Sequence, residues 1–165
     1  MAAGIVAALA VKAGIEPREV SVRDVQREGL NGGGYLLPEL DLPTTDPHFK
    51  ALQRVGVTGI IEGVGMTVGW ENQTWFRANE TISMAELTRG LNRFDSKFAL
   101  SEDPDEVTLS DLEGWFGEIN DAMWNAWGLP DYSTTRALTR KECAVVIDAL
   151  MRPFYTYPVT LQGEF

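Results

Sequence analysis

The first apolar stretch of the chain has no polar face. Residues 2–13 are mostly Ala, Val, Ile and Leu, and Lys12 is the first charged side chain among them. This composition favours a helix that needs neighbours on every side. Ser21, followed three residues later by Asp24, predicts the cap of a second helix that extends to about Gly29.

The middle of the chain combines a capped helix with short extended pieces. Asp46 and Pro47 predict a helix start, and Gly56 predicts the end of that helix. The glycine-bounded pieces at residues 57–63 and 69–76 are rich in β-branched and aromatic side chains. They predict short extended segments or a small hairpin.

Two capping boxes mark helix starts in the second half of the chain. Residues 83–86 and 139–142 each place a Ser or Thr three positions before a Glu, and Pro153 ends the second of these helices. A further helix is predicted over residues 110–127. The Pro- and Gly-containing tail, residues 155–165, is predicted to be extended.

The two capping boxes belong to a longer internal match in which each pair of residues is 56 positions apart. The pairs are Phe76 with Tyr132, Ile82 with Leu138, Ser83 with Thr139, Glu86 with Glu142 and Leu91 with Ile147. The alternative is that any two capped amphipathic helices would align this well. We therefore expect a mainly α fold, a compact helical domain with two partial helix-turn-helix repeats and one or two short β segments.

The charge of the chain narrows the range of partners. A formal net charge of -10 disfavours nucleic acids and anionic membrane surfaces, which are bound through clustered Lys and Arg. The apolar run at residues 2–11 is too short to span a membrane, which takes about 20 residues. Neither a nucleic acid nor a membrane is an expected partner.

Residues that carry catalytic or metal chemistry are few. His48 and Cys143 are the single histidine and cysteine, so no His-based triad and no zinc site can be assembled. The apolar neighbours of Cys143 predict a buried structural thiol, and His48 is expected at a helix start or on the surface. The acidic residues 102–111 lack the spacing of a calcium loop. We expect no catalytic residue and no metal site.

Tryptophans suggest one binding surface. Trp70 and Trp75 flank a polar turn that contains Asn72, and aromatic rings beside amides are suited to sugars. These three residues form the candidate carbohydrate-binding site. The remaining tryptophans, Trp115, Trp124 and Trp127, have helix-compatible spacing and are expected in the core.

Several segments resemble a family of bacterial FAD-dependent oxidoreductases. The Ala-Ala-Gly helix at residues 2–12 and the Pro-Arg turn at 17–20 resemble the end of the family's FAD-binding region. Residues 34–38 and 72–76 are similar to the C-terminal extension of family members from polysaccharide-degrading bacteria, some of which carry the name xanthan lyase. Residues 138–142 are also similar to S-layer homology repeats.

The resemblance implies a division of the chain and a cofactor for the larger protein. Residues 1–40 would end the FAD-binding region, and residues 41–165 would form a C-terminal helical accessory domain. Ala2, Ala3 and Gly4 match positions near the cofactor in the intact parent. The family's Gly-x-Gly-x-x-Gly and Gly-Asp elements are not in this chain, so FAD is implied for the parent and no cofactor for this segment. The location of the chain is left open, and a periplasmic or extracellular parent is one expectation.

Two functions follow as competing hypotheses. The first is a non-catalytic accessory domain whose partner is the FAD domain of the same polypeptide, with Met1 marking a boundary cut into that larger protein. The second is a carbohydrate-binding module with a polysaccharide partner. An autonomous polysaccharide lyase is disfavoured because its basic machinery is missing. The exposed N-terminal helix also predicts self-association.

Overall fold

Eight α-helices and one antiparallel hairpin form the part of the chain that the computed structural model describes, residues 2–164. The predicted fold class, mainly helical with short β segments, is confirmed. The predicted boundary at Met1 lies outside the described residues. The elements are α1 (Ala2–Ala13), a 3₁₀ turn (Pro17–Glu19), α2 (Val22–Asn31), α3 (Phe49–Thr58), β1 (Val64–Val68), β2 (Glu71–Trp75), α4 (Met84–Asn92), α5 (Leu109–Phe116), α6 (Asp121–Ala126), α7 (Arg140–Leu150) and α8 (Pro153–Thr156).

The first two helices follow their predicted boundaries closely. α1 ends before Gly14, whose φ of +67° suits glycine, and α2 begins at the Ser21 cap, which accepts a hydrogen bond from Asp24 N–H. α1 packs on α2 and on the 3₁₀ turn. Leu30, near the end of α2, lies in the same hydrophobic core as Leu42. The proposed division at residue 40 stays a prediction.

α3 lies further along the chain than its sequence signals predict. It begins two residues after Pro47, because Asp46 forms a turn in which its carboxylate accepts from His48 N–H at 2.8 Å. The helix also continues through Gly56, the predicted end, and stops at Gly59, where φ is +72°. Gly56 lies inside the helix, and glycine is needed there for close approach rather than for a turn, since a Cβ would lie 2.9 Å from the Leu37 side chain.

The hairpin confirms one extended segment and corrects the other. Residues 57–63, predicted to be extended, form the last residues of α3 and a turn. The strand that pairs with β2 is β1, which the sequence did not distinguish. The register joins Val64 to Trp75 and Val68 to Glu71, so Gly69 and Trp70 form the connecting turn.

The helix predicted over residues 110–127 is divided into α5 and α6. Gly117 between them has φ of +87°, a conformation that a continuing helix does not contain. Asn120 then caps α6 by accepting a hydrogen bond from Met123 N–H at 3.0 Å. The local cap therefore prevails over the apolar spacing that suggested one long helix.

The two predicted capping boxes form differently. At α7, Thr139 Oγ1 accepts a hydrogen bond from Glu142 N–H at 3.2 Å, and the Glu142 carboxylate accepts one from Thr139 N–H at 2.8 Å. At α4, Ser83 accepts from Glu86 N–H at 3.2 Å, but the Glu86 carboxylate pairs with Arg140. The reciprocal bond expected of Glu86 is therefore absent, because a buried guanidinium binds its carboxylate.

A third capping box, which the sequence pattern missed, lies at the start of the helix predicted from residue 110 and joins the two predicted boxes. Thr108 begins α5, and its N–H donates to Asp111 at 2.8 Å. The residues just before the three helix starts form a hydrogen-bonded ladder, in which Val107 N–H donates to Ile82 O at 3.0 Å and Leu138 N–H donates to Val107 O at 2.7 Å. All three are almost fully buried. This ladder ties α4, α5 and α7 into one core.

The tail and the tryptophans complete the fold. Pro153 begins the short helix α8, so the start of the tail predicted to be extended is helical, and Phe165 lies outside the described residues. Trp124 is fully buried as predicted, whereas Trp115 and Trp127 are half-buried against the core. The part of the chain described here contains no helix long and apolar enough to cross a membrane.

Candidate functional site

The residues that match the cofactor region of the flavoprotein family lie on an open surface. Ala2, Ala3 and Gly4 form the first turn of α1 and are exposed. A Cβ built on Gly4 meets no atom within 4 Å. Their role toward FAD concerns the parent protein and stays a prediction.

The predicted sugar-binding residues do not share one face of the hairpin. Trp70 lies in the turn and is 90% exposed. Asn72 pairs with Thr67 and Trp75 pairs with Val64, three positions apart in the strand, so their side chains leave opposite faces. A shallow cavity of about 440 Å³ is lined by Trp70, Asn72 and neighbours, and Trp75 does not line it. The geometry therefore brings together Trp70 and Asn72 only.

A different site lies beside α3, and sequence reasoning missed it. Gln53, which is fully buried in α3, accepts hydrogen bonds from Leu36 N–H at 2.7 Å and Leu37 N–H at 2.9 Å. Its amide donates to Leu37 O at 3.1 Å and to Glu39 Oε2 at 3.2 Å. Leu40 N–H then donates to the carbonyl of Thr74 in β2 at 2.9 Å. These bonds fix Glu39 between α3 and the hairpin.

The carboxyl group of Glu39 is buried and incompletely bonded. The residue is 3% exposed, and its Oε1 has no hydrogen-bond partner among the residues described. Burial raises the pKa of Glu39 to about 7, and the negative charge of Asp41 adds to this shift while Arg140 opposes it. The group is therefore divided between its neutral and ionised forms near neutral pH.

A cavity of about 590 Å³ opens next to this carboxyl group. Four glycines line it, one of them in the C-terminal tail, and so do several charged side chains. The main lining residues are Arg23, Glu39, Gly56, Gly59, Glu62, Gly63, Thr74, Arg93 and the tail residues Val159, Thr160, Leu161 and Gly163. We call this cavity the Glu39 cleft.

Arg140 fixes the turn that forms one side of the Glu39 cleft. Its Nε donates to Phe76 O at 2.7 Å, its Nη2 donates to Glu62 O at 2.5 Å, and its Nη1 pairs with Glu86. α4 approaches the same turn so closely that a Cβ on Gly90 would fall 2.0 Å from a backbone oxygen. The turn is therefore held from two directions.

The structure places the single histidine between two helices and the single cysteine in the core. The Nε2–H of His48 lies 2.9 Å from the carbonyl oxygen of Trp127, so the ring connects the start of α3 to the end of α6. Cys143 is fully buried as predicted, and burial raises the pKa of its thiol. Within residues 2–164, no group of three or more His, Cys, Asp or Glu side chains is placed to hold a metal ion.

Comparisons with family models, with curated proteins and with solved structures found no match for this chain. The site therefore has to be interpreted from its own geometry. The sequence carries no specific signal for this site. Glu39 lies between Pro38 and Leu40, but Asp41 follows it two positions later, so the pattern is not that of a lone acid in an apolar run.

Proposed function

We propose that this chain is a non-catalytic accessory domain that docks through α1 onto the FAD domain of an oxidoreductase of the same polypeptide. The observation that carries the proposal is the unpartnered apolar surface of α1. Of its residues, only Ala10 is buried, and Val11 is 84% exposed. An apolar helix surface of this kind is typical of an interaction site.

The surroundings of α1 support docking rather than an independent role for this helix. α1 packs on α2 and on the 3₁₀ turn, while the main hydrophobic core is formed by residues from Leu30 onward. Beside Val11 a groove of about 540 Å³ is lined by Ala7, Ala10, Ile15 and neighbouring residues. The resemblance of residues 2–12 to the end of a flavin domain supports that domain as the occupant.

The test uses the flavin domain encoded ahead of this segment in the same reading frame, expressed as a separate chain. It should bind the present chain, and Val11→Glu should weaken binding at least tenfold, because the substitution would bury a charge. Val68→Glu is the matched control, since Val68 is an exposed valine on the hairpin. A reading frame without a flavin domain, or equal effects of both substitutions, would overturn the proposal.

Deletion of residues 2–13 tests the same proposal in the isolated chain. We expect the remaining residues to stay folded and any self-association to decrease, measured by circular dichroism and light scattering. Unfolding of the whole chain would place α1 in the core and contradict its role in docking. A stable dimer formed through α1 in the presence of the flavin domain would identify a second copy as the occupant instead.

Carbohydrate binding at the hairpin is a second candidate function. It is favoured by Trp70, which is 90% exposed beside Asn72 and the shallow cavity. A flat, solvated indole can stack on a sugar ring. In a glycan-binding screen, Trp70→Ala should abolish binding and Trp75→Ala should leave it nearly unchanged, because Trp75 lies on the other face. The reverse order would contradict this location.

A further inference from the structure

An unpartnered oxygen lies in the wall of the Glu39 cleft. Glu39 Oε2 accepts from the Gln53 amide at 3.2 Å, whereas Oε1 has no partner among the described residues although it is buried. Nearly all buried polar atoms in folded proteins have a hydrogen-bond partner. An unpartnered oxygen beside a cavity therefore indicates a donor that arrives from outside the chain.

The backbone around this oxygen leaves room for such a donor. A Cβ on Gly63 would lie 3.0 Å from Glu39 Oε1 and 2.9 Å from the Thr74 methyl group, and a Cβ on Gly56 would lie 3.7 Å from Oε1. Both glycines also line the cavity. A side chain at Gly63 would crowd the carboxyl group and one at Gly56 would contact it, so glycine at these positions keeps the approach to it open.

The charges around the cleft select against ions of either sign. Arg23 and Arg93 line the cavity and disfavour a cationic ligand. The negative charge of Asp41 raises the pKa of Glu39, and the carboxylate of Glu62 lines the cavity. Asp41 and Glu62 therefore both disfavour an anionic ligand. The positive charge of Arg140, which lowers the pKa of Glu39, also disfavours a cationic ligand. A neutral ligand meets the least opposition.

We propose that the Glu39 cleft binds a neutral, polyhydroxylated ligand, one hydroxyl of which hydrogen-bonds to Glu39 Oε1. A hydroxyl can donate to a carboxylate and can accept from a carboxylic acid, so it fits both forms of Glu39. The cavity of about 590 Å³ is in the size range of small-molecule sites. Its apolar lining residues, among them Leu37, Pro38 and Val57, would contact the carbon face of such a ligand.

A matched set of sugars tests the proposal by amide NMR on the full chain. Glucose is the neutral probe, and glucuronate and glucosamine are its anionic and cationic counterparts. We expect glucose to cause saturable shifts at the amides of Gly56, Gly63 and Thr74, with at least tenfold weaker binding of both charged probes. Cellobiose identifies the source. Tighter binding of cellobiose than of glucose indicates a polysaccharide, and equal binding indicates a free polyol.

Variants separate this cleft from other surfaces. Glu39→Met should weaken glucose binding at least tenfold, whereas Glu39→Gln should retain it within about threefold, because an amide still offers a donor and an acceptor. If Glu39→Met does not fold, Gly63→Ala serves instead, since it fills the approach. Trp70→Ala should have no effect, which separates this result from binding at the hairpin turn.

Three results would overturn the proposal. One is the absence of shifts with every probe, which would leave a buried water as the partner of Oε1. Another is equal or tighter binding of glucuronate or glucosamine. The third is glucose binding that persists in a folded Glu39→Met variant or that is confined to the amides around Trp70.

Discussion

Arg140 and Glu39 are both 3% exposed and both carry ionisable groups, yet their surroundings differ. The three guanidinium nitrogens of Arg140 all donate, two to backbone carbonyls and one to Glu86. The carboxyl group of Glu39 has one bonded oxygen and one without a partner. The same degree of burial therefore accompanies a complete hydrogen-bond network in one place and an incomplete one in the other.

The difference assigns separate roles to the two residues. A buried charge with all its bonds made is a structural connection, and its removal leaves other groups unpaired. A buried carboxyl group with an unpartnered oxygen destabilises the fold when it ionises. Such a group is typical of a site where a ligand or a proton binds the oxygen. Arg140 therefore stabilises the fold, and Glu39 marks a binding site.

Removal of the complete network should have the largest effect. Arg140→Met leaves the carbonyls of Phe76 and Glu62 without their donor, and we expect it to lower the free energy of unfolding by about 3 kcal/mol. Urea denaturation followed by circular dichroism measures the change. A loss below about 1 kcal/mol would mean that Arg140 contributes no more than an exposed ion pair.

Replacing Glu39 with a neutral residue should stabilise the protein, but only at pH values above the pKa that Glu39 has in the unfolded chain. The pKa of Glu39 rises from 4.5 to about 7 on folding, so stability is full below pH 4.5 and is lost as the pH rises to 7. Glu39→Gln should therefore gain on the order of 2 kcal/mol at pH 8 and close to nothing at pH 4.

Thermal or urea unfolding at both pH values measures that gain. Glu80→Gln is a suitable control because the side chain of Glu80 is 61% exposed. A gain of equal size at pH 4 would show that ionisation of Glu39 is not its cause.

The acidic partner of Arg140 should matter less than the arginine itself. Glu86 is 40% exposed in its side chain, and glutamine at this position still accepts from Nη1. We expect Glu86→Gln to cost about 1 kcal/mol in unfolding experiments. A cost as large as that of Arg140→Met would mean that the charge of the pair, rather than the bonds to the two carbonyls, holds the turn.

The smallest effect is expected at an exposed arginine of the same cleft. Arg93 pairs with Glu62 at 2.9 Å, and both side chains are more than half exposed. Arg93→Met should change the free energy of unfolding by less than about 1 kcal/mol, because water and salt screen such a pair. A larger loss would mean that the exposed Arg93 stabilises the fold as the buried Arg140 does.

Local signals in the sequence predicted most of the helix starts, but they did not predict which glycines end a helix. Ser21, Ser83 and Thr139 act as caps where their spacing to an acid predicts them, since a cap depends on neighbours within one turn. Such local signals do not distinguish Gly56, which lies inside a helix, from Gly117, which ends one. The side chain of Leu37 approaches the first closely, and the second ends its helix through its backbone angle.

The Glu39 cleft could not be predicted from local sequence signals either, because it depends on contacts between residues that are distant in the sequence. Glu39 is one of 24 acidic residues, and its burial depends on Gln53, Gly56 and Gly63, which contact it only in the folded chain. Carbohydrate binding by Trp70, Asn72 and Trp75 stays a prediction, but the strand register limits which of these residues can act together. Their closeness in sequence suggested one surface, but the pairing of the strands directs Trp75 and Asn72 to opposite faces.

The ladder formed by Ile82, Val107 and Leu138 has a consequence for how the chain acquires its structure. Its rungs come from positions 25 and 31 residues apart, so closing it requires the ordering of two long intervening segments, which contain α4, α5 and α6. Such separated contacts slow folding. During synthesis on the ribosome, the helices that start after Ile82 and Val107 lack their third neighbour until Leu138 has emerged. The central region is therefore expected to form late and in one cooperative step, and shortening the chain before Leu138 leaves no stable half.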